Sequence, residues 1–402
     1  MKLLQINVDA TNGSNGGIAR DIGSLIIRNG GESYIAYGRN AVPGESIQFK
    51  ISNKLDVYSH GIESRIFDNH GLSSRLTTSQ FIKKIDKIEP DIIHLHNIHG
   101  YFLNYKILFE YLKKINIPVV WTLHDCWAFT GHCAHFVHAN CEKWKIGCYS
   151  CPRKKAYPSS LLLDRSKQNY KLKEELFNSL NDLTIVTVSY WLESLVKESF
   201  LKNNKIFTIL NGVDINIFKY TENKSIREKY KIGNKFLLIG VAANWTPQKG
   251  LNDYIELSKK ISDDSVILLV GLSKDKISDL PKNIIGIERT SDISELLSLY
   301  SEADIVLNLS YAETFGMTTI EGMACGTPSI VYNKTASPGL IIGDVGYVVE
   351  AGNMEQLLLT INKIKQRGKK YYFEKCRESV LENFNKEINY NAYINLYKQI
   401  LL

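Results

Sequence analysis

The sequence predicts an α/β protein made of two doubly wound, Rossmann-like domains in tandem. Three observations predict it. The chain has 402 residues, too many for one ordinary core, so two domains of roughly 200 residues each are the natural division. Short runs rich in Val and Ile alternate with longer stretches of helical apolar spacing, the mark of parallel sheets with crossover helices. Hydrophobic content of 44% with 23% charged residues is that of a folded globular chain.

In the first half, "KLLQINV", "ESYIAYG", "DIIHLHN", "IPVVWTLHD" and "LTIVTVS" read as strands. In the second half "KFLLIGVAAN", "DSVILLVG", "NIIGIE", "DIVLNLS" and "PSIVYN" do the same, and "GLNDYIELSKKI", "DISELLSLYSEA" and "TTIEGMACG" carry helical spacing. The segment "ILNGVDINIF" (209–218) follows the last strand of the first series and holds an Asn-Gly turn, which reads as the inter-domain hinge. The expected domains are 1–212 and 213–384, with a terminal helix, 385–402, returning to the first domain. Doubly wound sheets bind ligands beyond the carboxyl ends of their strands, so functional residues are sought there.

No run of 18 apolar residues occurs, and the N-terminus lacks the apolar core and cleavage site of a signal peptide. A cytoplasmic location is therefore expected. Of the net charge of +7, all falls in residues 1–212, with 26 Lys/Arg against 19 Asp/Glu. Solvated helix faces would explain that excess. So would contact with an anionic membrane surface, on the inner face of the plasma membrane, or with a phosphate-bearing acceptor. Nucleic acid is not expected as a partner, because no aromatic-and-basic repeat or reading motif is present.

After the first strand comes "DATNGSNGGIARDIG", with Gly13, Gly16 and Gly17 ahead of a helix. Glycines there allow close backbone approach to a ligand, and a helix N-terminus favours phosphate. A plain turn explains the stretch equally well. His124 stands at the end of "IPVVWTL", where a histidine can orient a hydroxyl or carry a proton, or serve as a structural hydrogen bonder. His94, His96 and His99 lie nearby without metal-ligand spacing. In "VAANWTPQKG", which follows a strand and opens a helix, Lys249 lies near the helix start and suits a diphosphate, although a surface lysine would look the same. Beyond "DIVLNLS" come two glutamates: Glu313 in the loop, and Glu321 some one and a half turns into the next helix. Between them Gly316, Met317 and Thr318 offer unpaired N–H groups at the helix start, an anion site. Such an arrangement holds an extended ligand, with phosphate at the helix start and a polyol at the inner carboxylate.

The order of glycine loop, strand-end histidine, "NGVD" hinge, "KG" and "E-x7-E" followed by "GMACGTP" closely resembles the retaining nucleotide-sugar glycosyltransferases of family 4, which have the GT-B fold. The resemblance covers nearly the whole chain and is most specific from Glu313 to Pro328. It implies that Glu321 holds the donor's ribose hydroxyls, and that Glu313 and His124 contact the transferred sugar. It further implies that Lys249, Asn244 and the N–H groups of Gly316 to Thr318 cradle the diphosphate, and that Gly16 and Gly17 close over donor and acceptor. Many members carry an arginine where this chain has Ala243, so one cation fewer faces the diphosphate.

Five of the seven cysteines fall between residues 126 and 151. Cys133, Cys141, Cys148 and Cys151 present four thiols, the last two at zinc-knuckle spacing. A structural zinc, reduced free thiols and disulfides are the three readings, disulfides being disfavoured in the cytoplasm. No metal or other cofactor is expected in catalysis. The aromatic residues of this insertion either pack under the zinc or meet a lipid-linked sugar, and Arg153, Lys154 and Lys155 follow as a basic spot.

The resemblance implies transfer of a hexose-type sugar from a UDP- or GDP-sugar to a glycan or lipid-linked saccharide acceptor, in capsular or extracellular polysaccharide assembly. Two rivals remain at this stage: a glycoside hydrolase using Glu313 and Glu321, and a zinc-bearing carbohydrate-binding protein on an inactive scaffold.

Overall fold

Among the described residues thirteen strands, all paired in parallel, form two sheets. The computed structural model describes residues 1–10, 13–223 and 225–402, with the side chains of residues 13–15 outside the description. In chain order the first sheet holds β1 (Lys2–Asn7), β2 (Glu32–Tyr37), β3 (Ile47–Lys50), β4 (Ile92–Leu95), β5 (Val119–Leu123), β6 (Leu183–Thr187) and β7 (Lys205–Thr208). Its spatial order is β3-β2-β1-β4-β5-β6-β7. The second sheet holds β8 (Phe236–Val241), β9 (Ser265–Val270), β10 (Ile284–Ile287), β11 (Ile305–Asn308), β12 (Ser329–Tyr332) and β13 (Gly346–Val349), ordered β10-β9-β8-β11-β12-β13. Relative to its own first strand this is the doubly wound order 3-2-1-4-5-6. The two doubly wound sheets with crossover helices are those the sequence predicts.

The chain divides into two compact units, Met1–Leu210 with Tyr390–Leu402, and Asn211–Asn389. In the first, Leu3, Ile92, Val120 and Val186 from the sheet meet Ile18, Ile22, Leu25 and Ile26 of the helix Gly13–Arg28. Those four recur at helical spacing and give the helix its buried stripe. Tyr390, Tyr393, Ile394 and Tyr397 of the last helix, Lys386–Leu401, complete this core. In the second unit Leu237, Ile239, Leu268 and Val306 pack with Leu299, Tyr300 and Ala303.

Gly16 and Gly17, expected in a loop ahead of a helix, are the fourth and fifth residues of that helix. The buried stripe outweighs the poor helix propensity of glycine, a tertiary override of a local preference. Thr11 and Asn12 of the same stretch fall outside the described residues. Among the described residues no helix is long and apolar enough to cross a membrane.

Candidate functional site

In the second unit, β8 and β11 are neighbours whose connections leave in opposite directions, and this is the switch point where such sheets open a crevice. The loop after β8 carries Asn244 and Lys249; the loop after β11 carries Glu313 and Gly316. Lys249 ends a short 3-10 turn, Pro247–Lys249, closed by Gly250 at φ 72°. A Cβ on Gly250 would lie 2.1 Å from the Leu309 carbonyl oxygen, so only glycine lets this turn press against the end of β11. The Tyr311 N–H donates to the Gln248 carbonyl at 2.8 Å and ties the two loops together. Across that tie, Lys249 Nζ donates to Glu313 Oε1 at 2.6 Å. The Glu313 N–H in turn donates to Thr335 Oγ1 at 2.8 Å. Asn244 is exposed in the loop, while its neighbour Trp245 is buried and donates from Nε1 to the Val270 carbonyl at 2.8 Å.

The helix Met317–Ala324 starts at Gly316, whose φ of 108° is a left-handed conformation. Asn308 Nδ2 donates to Thr319 Oγ1 at 3.0 Å and fixes the helix start to the end of β11. The opening N–H groups of a helix have no carbonyl within it, so those of Met317 and Thr318 are left to a ligand or to water. Glu321 follows one turn later, about 6 Å along the axis. It is half-buried and accepts a hydrogen bond from Tyr300 OH at 2.9 Å. Burial pushes its carboxyl up to about 7, against the pull of the Tyr300 hydroxyl. Lys249, Glu313, the helix start and Glu321 thus share one end of one sheet, with a cation, free amides and a proton-sensitive carboxylate.

In the first unit, His124 follows β5 and is buried. A hydrogen-bonded row crosses three adjacent strands: Gln5 Oε1 meets His96 Nε2 at 3.1 Å, and His96 Nδ1 meets His124 Nε2 at 3.1 Å. Burial draws the His124 imidazole down to about 4 despite the neighbouring Asp125 carboxylate. At neutral pH His124 is therefore a neutral hydrogen-bonding group, not a charged acid. His94 serves the core, meeting Thr122 Oγ1 at 2.8 Å and Tyr397 OH at 2.6 Å. His99 bridges Asp125 at 2.9 Å and Tyr157 OH at 3.0 Å.

Sequence reading singled out neither Gln5, His96 nor Tyr300 as a partner. The one usable signal was the lone glutamine inside the apolar run "KLLQIN", since a buried polar side chain needs a partner.

These histidines make stability depend on acid. Burial holds His124 down to about 4 and His94 down to about 3, whereas the unfolded chain takes up its protons near 6.5. Below that value the unfolded state binds more protons, so their contribution is complete above pH 6.5 and is lost as the pH falls toward 4. Urea unfolding followed by circular dichroism from pH 7 to 4.5 is expected to show a falling midpoint. A flat profile would contradict neutral buried histidines.

The four cysteines of the zinc expectation lie in the insertion that follows β5. Among the described residues no group of three or more His, Cys, Asp or Glu side chains could hold a metal ion. Cys133 and Cys151 are hydrogen-bonded to each other. Cys148 Sγ instead accepts from the Gly131 N–H at 3.2 Å, and Cys141 sits half-buried between two 3-10 turns. Cys133, Cys148 and Cys151 lie close enough for their charges to act on one another, and a structural zinc on the four thiols stays a proposal that metal analysis of the purified protein tests. All seven cysteines are free, so disulfides do not staple the insertion. Aromatic packing holds it. Trp144 lies 5.0 Å from Phe136 and 5.4 Å from Phe129, and Lys173 Nζ sits 3.4 Å from the Trp127 ring centre while donating to the Trp127 and Thr130 carbonyls.

Comparison with known proteins gives two family matches. Residues 28–217 match the model for Glycosyltransferase Family 4, and residues 222–378 match that for Glycosyl transferases group 1. WcaC of Escherichia coli, assigned by name to colanic acid biosynthesis, is 30% identical over 193 residues, 45% of this chain and 46% of that protein. The match thus spans about half the length of that relative. An uncharacterised 41.2 kDa protein in the cps region of Klebsiella pneumoniae is 25% identical over 365 residues, 86% of this chain and 90% of that one. Among solved structures, Anabaena HepE in complex with UDP superimposes with a TM-score of 0.70 at 16% identity, covering 99% of this chain and 100% of that one. At that identity the likeness establishes the fold alone.

Proposed function

Since the chain belongs to the family 4 glycosyltransferases of the GT-B fold, we propose that it transfers a hexose-type sugar from a nucleoside diphosphate sugar to a glycan or lipid-linked saccharide acceptor in surface polysaccharide assembly, with retention of configuration. The observation that carries this reading is the meeting of Lys249 and Glu313 across the β8/β11 switch point, one helical turn from Glu321. The UDP bound by HepE and the polysaccharide setting of the named relatives support the donor and the pathway.

In this reading the diphosphate lies on the N–H groups of Met317 and Thr318, where the helix start carries about half a positive charge. Lys249 leaves Glu313 for the phosphate oxygens. Glu313 is then free to face the sugar, and Glu321 accepts from the ribose hydroxyls. As the bond to the sugar breaks, negative charge grows on the leaving diphosphate, and the helix start and Lys249 stabilise it. His124, held neutral by burial, is able to hydrogen-bond a hydroxyl without carrying a charge. A hydrolase would need both carboxylates across one bond. Here Glu313 is bonded to Lys249 and Glu321 to Tyr300, which does not favour that use.

The test is a panel of UDP- and GDP-sugars, scored for thermal stabilisation and for nucleoside diphosphate release with and without saccharide acceptors. Acceptor-dependent release supports transfer; free sugar appearing at the same rate without acceptor contradicts it. Lys249→Ala is expected to weaken UDP roughly tenfold, for the loss of one charge-assisted contact, and to leave uridine affinity unchanged. Equal losses for UDP and uridine in a titration would place the lysine away from the phosphates.

A further inference from the structure

The first unit carries a second cavity, of about 570 Å³, beside the ends of β2 and β3 and along the helix Lys54–Phe67. Among the described residues four cations line it, Arg39, Lys50, Lys54 and Arg65, and no carboxylate does. The helix's own acids are engaged elsewhere: Asp56 accepts from Thr77 Oγ1 at 3.3 Å, and Glu63 from Ser73 Oγ at 2.6 Å. Lys50 and Lys54 have no partner for their ammonium groups among the described residues. The two guanidinium groups are preorganised. Arg39 donates to the Gly100 carbonyl at 2.9 Å and Arg65 to the Gly61 carbonyl at 2.9 Å. Both stand over the buried Tyr101 ring, at 5.4 and 5.6 Å.

The rim has the opposite character. Leu55, Tyr58 and Ile62, on one face of the helix, are exposed by 80%, 72% and 42%. Past the helix end lie three more exposed leucines, Leu161 to Leu163. Leu161 N–H donates to the Arg65 carbonyl at 2.7 Å, and Leu163 N–H to the Ile66 carbonyl at 3.4 Å. Lys154 of the basic spot donates from Nζ to the Leu162 carbonyl at 3.1 Å, so one further cation borders the leucines. Water-exposed apolar side chains continuous with an uncompensated cationic floor are complementary to a molecule with a charged head and an apolar chain.

We propose that this cavity binds the phosphate or diphosphate group of a lipid-linked molecule, with the anion among Lys50, Lys54, Arg39 and Arg65 and the chain along Tyr58 and Ile62 toward Leu161 to Leu163. Naming that molecule as the sugar acceptor rests on the transfer reading above, whereas its binding does not. The cavity then anchors the acceptor's lipid end and makes the enzyme prefer lipid-linked over free saccharides.

Titration with farnesyl diphosphate, inorganic pyrophosphate and farnesol, each with saturating UDP present to occupy the second unit, tests this. Farnesyl diphosphate is expected to bind at least roughly tenfold tighter than either of the others. The double variant Lys50→Ala/Lys54→Ala should weaken it about tenfold or more, and Tyr58→Ser/Ile62→Ser should weaken farnesyl diphosphate but not pyrophosphate. All four positions are at the surface or the cavity wall, and an unchanged melting temperature reports intact folding. Equal affinity for pyrophosphate and farnesyl diphosphate, or an unaffected double-lysine variant, would overturn the proposal. Should the lipid-binding pattern hold while UDP gives no thermal shift, the cavity assignment stands and the transfer reading falls.

Discussion

Glu313→Gln is expected to bind UDP within about threefold of the parent chain while losing roughly two to three orders of magnitude in turnover. The asymmetry follows from what Glu313 touches. Its backbone is held by Thr335 and its side chain by Lys249, and an isosteric amide preserves that loop. Removing the carboxylate leaves Lys249 uncompensated and still available to the diphosphate, so the ground-state complex keeps its main contacts. The loss falls on the sugar, whose reacting carbon gains positive charge only as the leaving group departs. A fall in kcat with near-constant UDP affinity, measured by steady-state kinetics and calorimetry, is the expected pattern. A variant that turns over normally would remove Glu313 from the chemistry.

Glu321→Ala should do the reverse. A carboxylate bonded to two ribose hydroxyls is worth about 2 kcal/mol or more, some thirtyfold in nucleotide affinity. The pH dependence is the sharper signature. Because the Glu321 carboxyl titrates up at about 7, the protein without nucleotide holds a proton there that the bound complex must release. Affinity for a UDP-sugar, whose diphosphate has no proton that titrates in this range, is therefore expected to rise from pH 6 to 8 in the parent and to be flat in Glu321→Ala. Tyr300→Phe removes the hydroxyl that favours the ionised form, so it should move the inflection to higher pH. The stability linkage has the same origin. Between about 4.5 and 7 the folded carboxyl keeps a proton that the unfolded one has lost, so its folded-state cost grows as the pH rises through that window. Glu321→Gln should consequently melt no lower than the parent at pH 8, the mark of a residue retained for binding at the expense of stability.

Much of the fold was legible because central parallel strands are buried on both faces and read as unbroken apolar runs. Strands such as "IIHL" and "VVWTL" are buried throughout. The three strands that escaped sequence reading, β3, β7 and β13, all lie at sheet edges. Lys205, Phe207 and Ile47 are exposed there, so "KIFT" and "IQFK" lack the apolar continuity of the centre. Gly16 and Gly17 misled in the other direction, since glycine signals a loop and the helix that holds them is stabilised by residues further on.

At the candidate site the local signal and the spatial one separate. The helix start, Glu313 and Glu321 lie within a few residues of one another and could be read together. Lys249 joins Glu313 across 64 positions and Tyr300 joins Glu321 across 21, and no spacing rule announces either. The row from Gln5 to His96 and His124 and the cationic cavity around Lys50 and Arg65 exist only because parallel sheets bring distant strand ends side by side.

The most direct measurement is a crystal structure of the chain with bound UDP. It should place the diphosphate within hydrogen-bonding reach of the Met317 and Thr318 N–H groups, with Lys249 moved from Glu313 to a phosphate oxygen and the ribose on Glu321. A nucleotide seated elsewhere, or one that leaves the Lys249–Glu313 ion pair and the Glu321 carboxylate untouched, would contradict the account.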